Sequence, residues 1–252
     1  MDITLDELRI FAGERNFSLP IMEKDYIITK LLYLMKGIKG AYFKGGTAIN
    51  KILLDYARIS EDIDFSLTRS IIEIEVGIRK SLTDFKITHD KRVDEFVRLI
   101  VHYKMFHDPG TVFIDLNERA KLNKEPKERS IPHPYHDYFP RFSFPVLNEE
   151  EMIAEKMAAA IGRNKPRDHF DLYMLIKRGY SINLELVREK CKQSGNEFSI
   201  ISMFNHAKQL KNRWDTDMKD ILSQPISFQE VMTTLAKHFN LKDEKEKLRN
   251  KK

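Results

Sequence analysis

Apolar positions along the chain follow a helical period at first, then a strand period, then a helical one again. Leu5, Leu8, Ile10 and Phe11 predict a short first helix. Ser18 and Pro20 open a second, carried by Ile21, Ile27, Ile28, Leu31, Leu32 and Met35 and ended by Gly37 and Gly40. A β-prone run at 41–43 leads into Gly45 and Gly46, which permit a tight turn. Ile49, Ile52 and Leu53 then predict a short helix over 47–55 with Thr47 at its N-cap. Asp62-Ile63-Asp64-Phe65 reads as a strand, with both acids on one face and Ile63 and Phe65 turned to the core. Residues 71–82 predict a helix, and 85–88, 95–104 and 111–117 predict strands. The imperfect alternation of 97–103 suggests a mostly buried strand, and Asp108-Pro109-Gly110 turns it into a hairpin with the next.

Residues 117–146 carry five prolines and no sustained period, which predicts a long ordered crossing without regular elements. From 147 the period is helical. Asn148 and Glu151 resemble a capping box, and Met152, Ile153, Met157, Ala160 and Ile161 make one apolar face. The chain breaks at 162–166, and Asp168 can cap a second helix that ends at Gly179. Helices are expected at 184–191, 200–210 and 228–239, and the charged tail 241–252 is expected to be disordered.

The composition narrows the class. The net charge of +5 and pI near 9.0 suit an anionic partner. One cysteine, Cys191, excludes an intramolecular disulfide and a cysteine-rich zinc site. The N-terminus is too charged for a signal peptide and no apolar run reaches membrane-spanning length, so a cytoplasmic protein with no membrane partner is expected.

The candidate chemistry lies in two stretches. In the first, Gly45 and Gly46 can bring backbone N–H groups close to an anion, and the Thr47 hydroxyl can reach a phosphate. Asp62 and Asp64, adjacent on one strand face, repel each other unless a cation sits between them; hard oxygen ligands suit Mg²⁺ carrying nucleotide phosphates. Asp115 interrupts an apolar strand and is a candidate third carboxylate. In the second stretch, Arg163, Lys165 and Arg167 form a basic knot suited to a triphosphate or an RNA backbone. His133, His136 and Asp137 lack a standard zinc spacing and read as exposed loop residues. Lys124, Lys127, Arg129 and Arg141 accompany rings able to stack on bases.

The words FKGGTAINK and RISEDIDF resemble the AbiEii/AbiGii toxin family of nucleotidyltransferases, within the DNA polymerase β-like superfamily. So does Glu155-Lys156, then Arg163, then Arg167-Asp168-His169-Phe170-Asp171-Leu172-Tyr173. The two blocks cover about residues 20–66 and 147–178. The resemblance implies an α+β fold: a nucleotidyltransferase-type lobe with a small mixed β-sheet flanked by helices, over 1–146, and a helical C-terminal lobe over 147–240 completing the site. It implies that Asp62, Asp64 and Asp115 hold two Mg²⁺ ions, with Mn²⁺ as a substitute, about 3.5–4 Å apart. It implies nucleotide contacts from Gly45, Gly46, Thr47, Lys51, Lys156, Arg163 and Asp171, with Asp168 or Asp171 orienting Lys156 or acting near the chemistry. The activity implied is NMP transfer from an NTP to RNA, a tRNA end, by a toxin of a toxin–antitoxin or phage-defence pair with a cognate antitoxin. A protein acceptor, or an inactive nucleotide- or RNA-binding module, are the alternatives.

Overall fold

The computed structural model describes residues 2–119, 121–163 and 165–249, so the last three residues of the tail expected to be disordered lie outside it. The chain divides into two compact units, residues 1–148 and 149–252.

The first unit opens with α1 (Leu5–Arg15) and α2 (Leu19–Met35). Thr4 and Glu7 form a reciprocal capping box on α1, satisfying two otherwise orphaned N–H donors. A seven-stranded mixed sheet follows, made of β1 (Ala41–Lys44), β2 (Asp62–Leu67), β3 (Lys86–Val93), β4 (Phe96–Tyr103), β5 (Gly110–Asn117), β6 (Lys127–Ser130) and β7 (Ser143–Val146). Its spatial order is β3-β4-β5-β2-β1-β7-β6. Pairing is antiparallel except at β1–β7 and β2–β5, which are parallel. Helices α3 (Gly45–Ala48) and α4 (Ile71–Ser81) complete the unit.

β6 and β7 fall where the sequence pattern predicted no regular element. Four residues each is too short for a period to show, and Pro145 interrupts the second; β7 is specified by its partner β1, which it meets at Phe43 opposite Val146. β4 also departs from expectation. Val97, Leu99 and Val101 are buried while Arg98, Ile100 and His102 are only half-buried, so one face alone is covered. The rings of the crossing are not laid out for base stacking. Tyr135, Phe139 and Phe142 are buried, Tyr135 and Phe139 meeting Tyr26 and Phe142 meeting Tyr33, and His133 is buried among them instead of exposed.

The second unit is helical: α5 (Glu149–Arg163), α6 (Pro166–Lys177), α7 (Leu184–Gln193), α8 (Ser202–Asn205), α9 (Ala207–Met218), α10 (Phe228–His238) and α11 (Leu241–Arg249). The predicted apolar face of α5 is buried throughout. The helix expected at 200–210 is two, parted at His206, and 241–249, expected to be disordered, form α11 with no buried residue. Glu151, expected to cap α5, accepts from buried Lys190. Asp168 is not the cap of α6; Lys165 takes that position, with Pro166 starting the helix. Gly179, at φ +80°, closes α6 in the left-handed conformation a C-terminal glycine supplies. No helix among the described residues is long and apolar enough to cross a membrane.

Candidate active site

In the first unit the site is built on one sheet face and one turn. β1 and β2 pair antiparallel with Lys44 opposite Asp64, so the turn that follows Lys44 lies beside that acid. Gly45 has φ +77°, and a Cβ placed on it would come 2.0 Å from Asp64 Oδ2 and 2.6 Å from its Cγ. Both constraints demand glycine: an L-residue is strained at this φ, and the carboxylate occupies the space a side chain would take. A Cβ on Gly46 would meet Ser60 Oγ at 2.8 Å and an Arg58 guanidinium nitrogen at 2.9 Å. The turn therefore fits between an acid on one side and a buried arginine on the other.

The helix after the turn starts two residues earlier than predicted. Gly45–Ala48 is helical, and Ile49–Leu53 widens into a π turn closed by Leu54 N–H donating to the Ile49 carbonyl. Asp55 and Tyr56 then turn the chain back through positive φ. Thr47 is thus inside the helix and not its cap, and its hydroxyl donates to the Asp62 carbonyl, tying the helix to the start of β2. Asn50 braces the same turn by donating to the Gly46 carbonyl at 3.0 Å.

Lys51, expected beside the leaving pyrophosphate, is wholly buried. Its ammonium donates to Asp25 at 2.6 Å, Tyr56 at 2.8 Å and Thr29 at 3.0 Å, filling all three donors. Burial lowers its pKa, against the opposing pull of Asp25. Its place is structural: it fixes the π turn to α2.

On the sheet, Ile63 and Phe65 are buried, with Asp62 and Asp64 half-buried on the other face. Parallel pairing with β5 places Asp115 directly beside Asp64 and Phe113 beside Asp62. The acid row forms as the strand period implied, but Asp115 is engaged. Arg98 of β4, paired opposite it, donates from Nε to Oδ1 and from NH2 to Oδ2, each at 2.7 Å. Among the described residues no three His, Cys, Asp or Glu side chains converge closely enough to enclose a metal ion. Asp62 and Asp64 are a half-buried hard-oxygen pair, a donor set that suits Mg²⁺, which commonly takes one or two carboxylates and completes its shell with phosphate oxygens and water.

The second unit holds the other motif. Lys156 Nζ lies 3.0 Å from Asp168 Oδ1 and 3.0 Å from Asp171 Oδ2, and both acids are fully buried. Arg163 donates to Asp168 through Nε at 2.8 Å and NH2 at 2.9 Å. Burial pushes the Asp168 carboxyl up, but Lys156 and Arg163 outweigh it and hold the group far below the usual carboxylate range. Thus two cations and two acids meet at the junction of α5 and α6, with Lys156 itself nearly buried.

A family model, described as nucleotidyl transferase AbiEii toxin of type IV toxin–antitoxin systems, matches residues 37–234, which span both motifs. The chain belongs to the AbiEii family. It is accordingly a toxin nucleotidyltransferase, and family membership implies an NTP substrate and a cognate antitoxin. No curated protein matches. Among solved structures, the nucleotidyltransferase toxin MenT4 from Mycobacterium tuberculosis is similar at TM-score 0.68 and 19% identity, covering 94% of this chain and 89% of that one. JHP933 from Helicobacter pylori is similar at TM-score 0.60 and 19% identity, covering 93% and 98%. At such identity the likeness concerns the fold.

For this AbiEii chain the sequence drew attention to the glycine pair, the acids and Lys51 but passed over Arg58, which lies beside Gly46, Arg98, which binds Asp115, and Asp25 and Tyr56, which bind Lys51. The interrupting arginine in β4 was the available signal for Arg98; Asp25 sits within Glu-Lys-Asp-Tyr, which reads equally well as a solvated helix start. Gly45→Ala is expected to displace the Asp64 carboxylate and slow NTP turnover roughly 100-fold, since about 1 Å of misplacement can cost that much. Single-turnover pyrophosphate release measures it, and a rate within threefold of the parent would refute the close fit of turn and acid.

Proposed function

We propose that the chain is a cytoplasmic toxin that transfers NMP from an NTP to the end of an RNA, tRNA being the favoured acceptor. The observation that carries this reading is the contact of Gly45 with Asp64, because it joins an anion-accepting turn to an acid pair within a few ångströms. Asp62 and Asp64 would hold Mg²⁺ at the triphosphate, and when bound the ion neutralises phosphate charge and favours loss of pyrophosphate. The Gly45 and Gly46 turn holds the β- and γ-phosphates. Lys156, with Asp168 and Asp171 fixing its ammonium, is assigned to the phosphate charge, and Arg163 sits on the same acid. The acceptor hydroxyl oxygen bonds the α-phosphorus as the bond to the bridging oxygen breaks, and pyrophosphate leaves. Most of the rate would come from positioning and charge, with little covalent chemistry from the protein. The net charge of +5 favours RNA over a protein acceptor.

Label transfer tests it. The purified protein, Mg²⁺, each α-labelled NTP in turn, and total bacterial RNA plus total protein are combined and resolved on a denaturing gel. Label is expected in a tRNA-sized band, and to be lost with Asp64→Asn. Label confined to protein bands would replace the RNA acceptor by a protein one. Undiminished transfer by the variant would remove the acid pair from the site.

A further inference from the structure

The sheet face beside Asp64 carries a charge arrangement that a three-carboxylate metal site does not need. Across β4, β5 and β2 the row reads Arg98, Asp115, Asp64, each directly opposite the next. Arg98 meets Asp115 through two parallel bonds of 2.7 Å, the fork geometry in which guanidinium and carboxylate bind most strongly. The same guanidinium lies 5.0 Å from the centre of the Phe113 ring, and Phe113 is the residue beside Asp62. It is therefore held from two sides on the strand that carries Asp115. Its remaining nitrogen, NH1, is 3.9 Å from Asp90 of β3, beyond hydrogen-bonding distance. Hydrogen bonding to Asp115 chiefly, with the charges of Asp115, Asp62 and Asp90, raises the already high pKa of Arg98.

Two consequences follow for a cation. Both oxygens of Asp115 are already committed to a neighbour that cannot lose its charge. A divalent ion drawn to Asp115 would also sit beside a guanidinium of the same sign, and in a half-buried site the two repel. Asp115 is 14% exposed and Arg98 34%, so water relieves this only in part.

We propose that Asp115 serves as the counter-ion of Arg98 and not as a metal ligand, so that the site takes one divalent cation, on Asp62 and Asp64, with the Arg98 guanidinium as the fixed positive charge beside it. This rests on the reading of that acid pair as the metal site and replaces the expected two-ion arrangement. Arg98 is on this account a positioning residue: it sets how many cations the acid row accepts.

Binding of Mn²⁺ alone, followed by the electron-paramagnetic signal of the free ion, tests it without turnover. The parent is expected to take one Mn²⁺, with affinity falling at least tenfold in Asp64→Asn. The double variant Arg98→Gln with Asp115→Asn removes one charge of each sign at nearly constant volume. It is expected to bind one Mn²⁺ within threefold of the parent affinity. Arg98→Gln alone frees Asp115 and is expected to add a second, weaker Mn²⁺, which keeps the test available should the double variant fail to fold. Two Mn²⁺ on the parent, or a double variant as weak as Asp64→Asn, or no second ion in the single variant, would overturn the proposal and leave the enzyme reading standing. Failure of the parent to bind Mn²⁺, with Asp64→Asn unchanged, would remove the metal reading and this proposal with it.

Discussion

Asp168→Ala is expected to destabilise the second unit by about 3–5 kcal/mol, the range for removing one partner of a buried ion pair. The carboxylate is fully buried and neutralises Lys156 at 3.0 Å and Arg163 at 2.8 Å. Without it Lys156 retains Asp171 at 3.0 Å, but Arg163 loses both of its bonds to Asp168. The single tryptophan, Trp214, lies buried in α9 of this unit and donates its indole N–H to the Ile226 carbonyl, so fluorescence during urea unfolding reads the unit directly. The pH dependence has a definite sign. A carboxyl whose folded pKa is lowered gives stability that is whole above its unfolded pKa, about 3.9, and is lost as pH falls through the folded value. The parent should thus lose stability on acidification below about pH 4 more steeply than the variant. Equal slopes, or a midpoint unmoved by the substitution at pH 7, would show that the four-charge cluster does not hold α5 to α6.

The second large effect belongs to the first unit. Asp25→Ala should cost about 3–5 kcal/mol because it strands the Lys51 ammonium, wholly buried, without an anion. It also removes the nearer of two acceptors of the Tyr135 hydroxyl, at 3.0 Å, leaving the Met22 carbonyl at 3.3 Å. Lys51→Met strands the other partner, the buried Asp25 carboxylate, and should cost a similar amount, whereas replacing both groups by apolar side chains of similar volume is often near neutral. The comparison is the test: near-ultraviolet circular dichroism of the surrounding tyrosines, Tyr26, Tyr56 and Tyr135, should melt earlier in either single variant than in the double variant Asp25→Leu with Lys51→Met. If the double variant melted no later than the single ones, the cost would not come from a stranded buried charge.

Those two clusters also mark where the sequence was readable and where it was not. The long helices and β2, β4 and β5 were legible because burial of one face writes a period into eight or more residues, or into a pair such as Ile63 and Phe65 flanked by two acids. The acid row was legible for the same reason: a side-chain period of two fixes which residues share a face. Lys51 was not. One buried lysine among Ile49, Ile52 and Leu53 looks like the polar side of a helix, and only the π turn, which shifts the register, brings it onto Asp25. Asp168 misled in the same manner, because aspartate is a common helix cap, and its real partners lie five and twelve positions earlier. β6 and β7 exist by pairing across the sheet, a contact that local pattern does not encode.

The place of β7 in the sheet has a consequence for how the molecule is made. β1 enters the glycine turn, yet one of its two neighbours, reached at Val146, is synthesised more than a hundred positions after Phe43. During translation β1 is an open edge with unpaired N–H and C=O groups while β2, β4 and β5 have already emerged. Such distant closure is slow, and an edge exposed meanwhile invites association with other chains. β1 gains its second neighbour only when β7 emerges, so the nascent chain completes this sheet only near the end of the first unit.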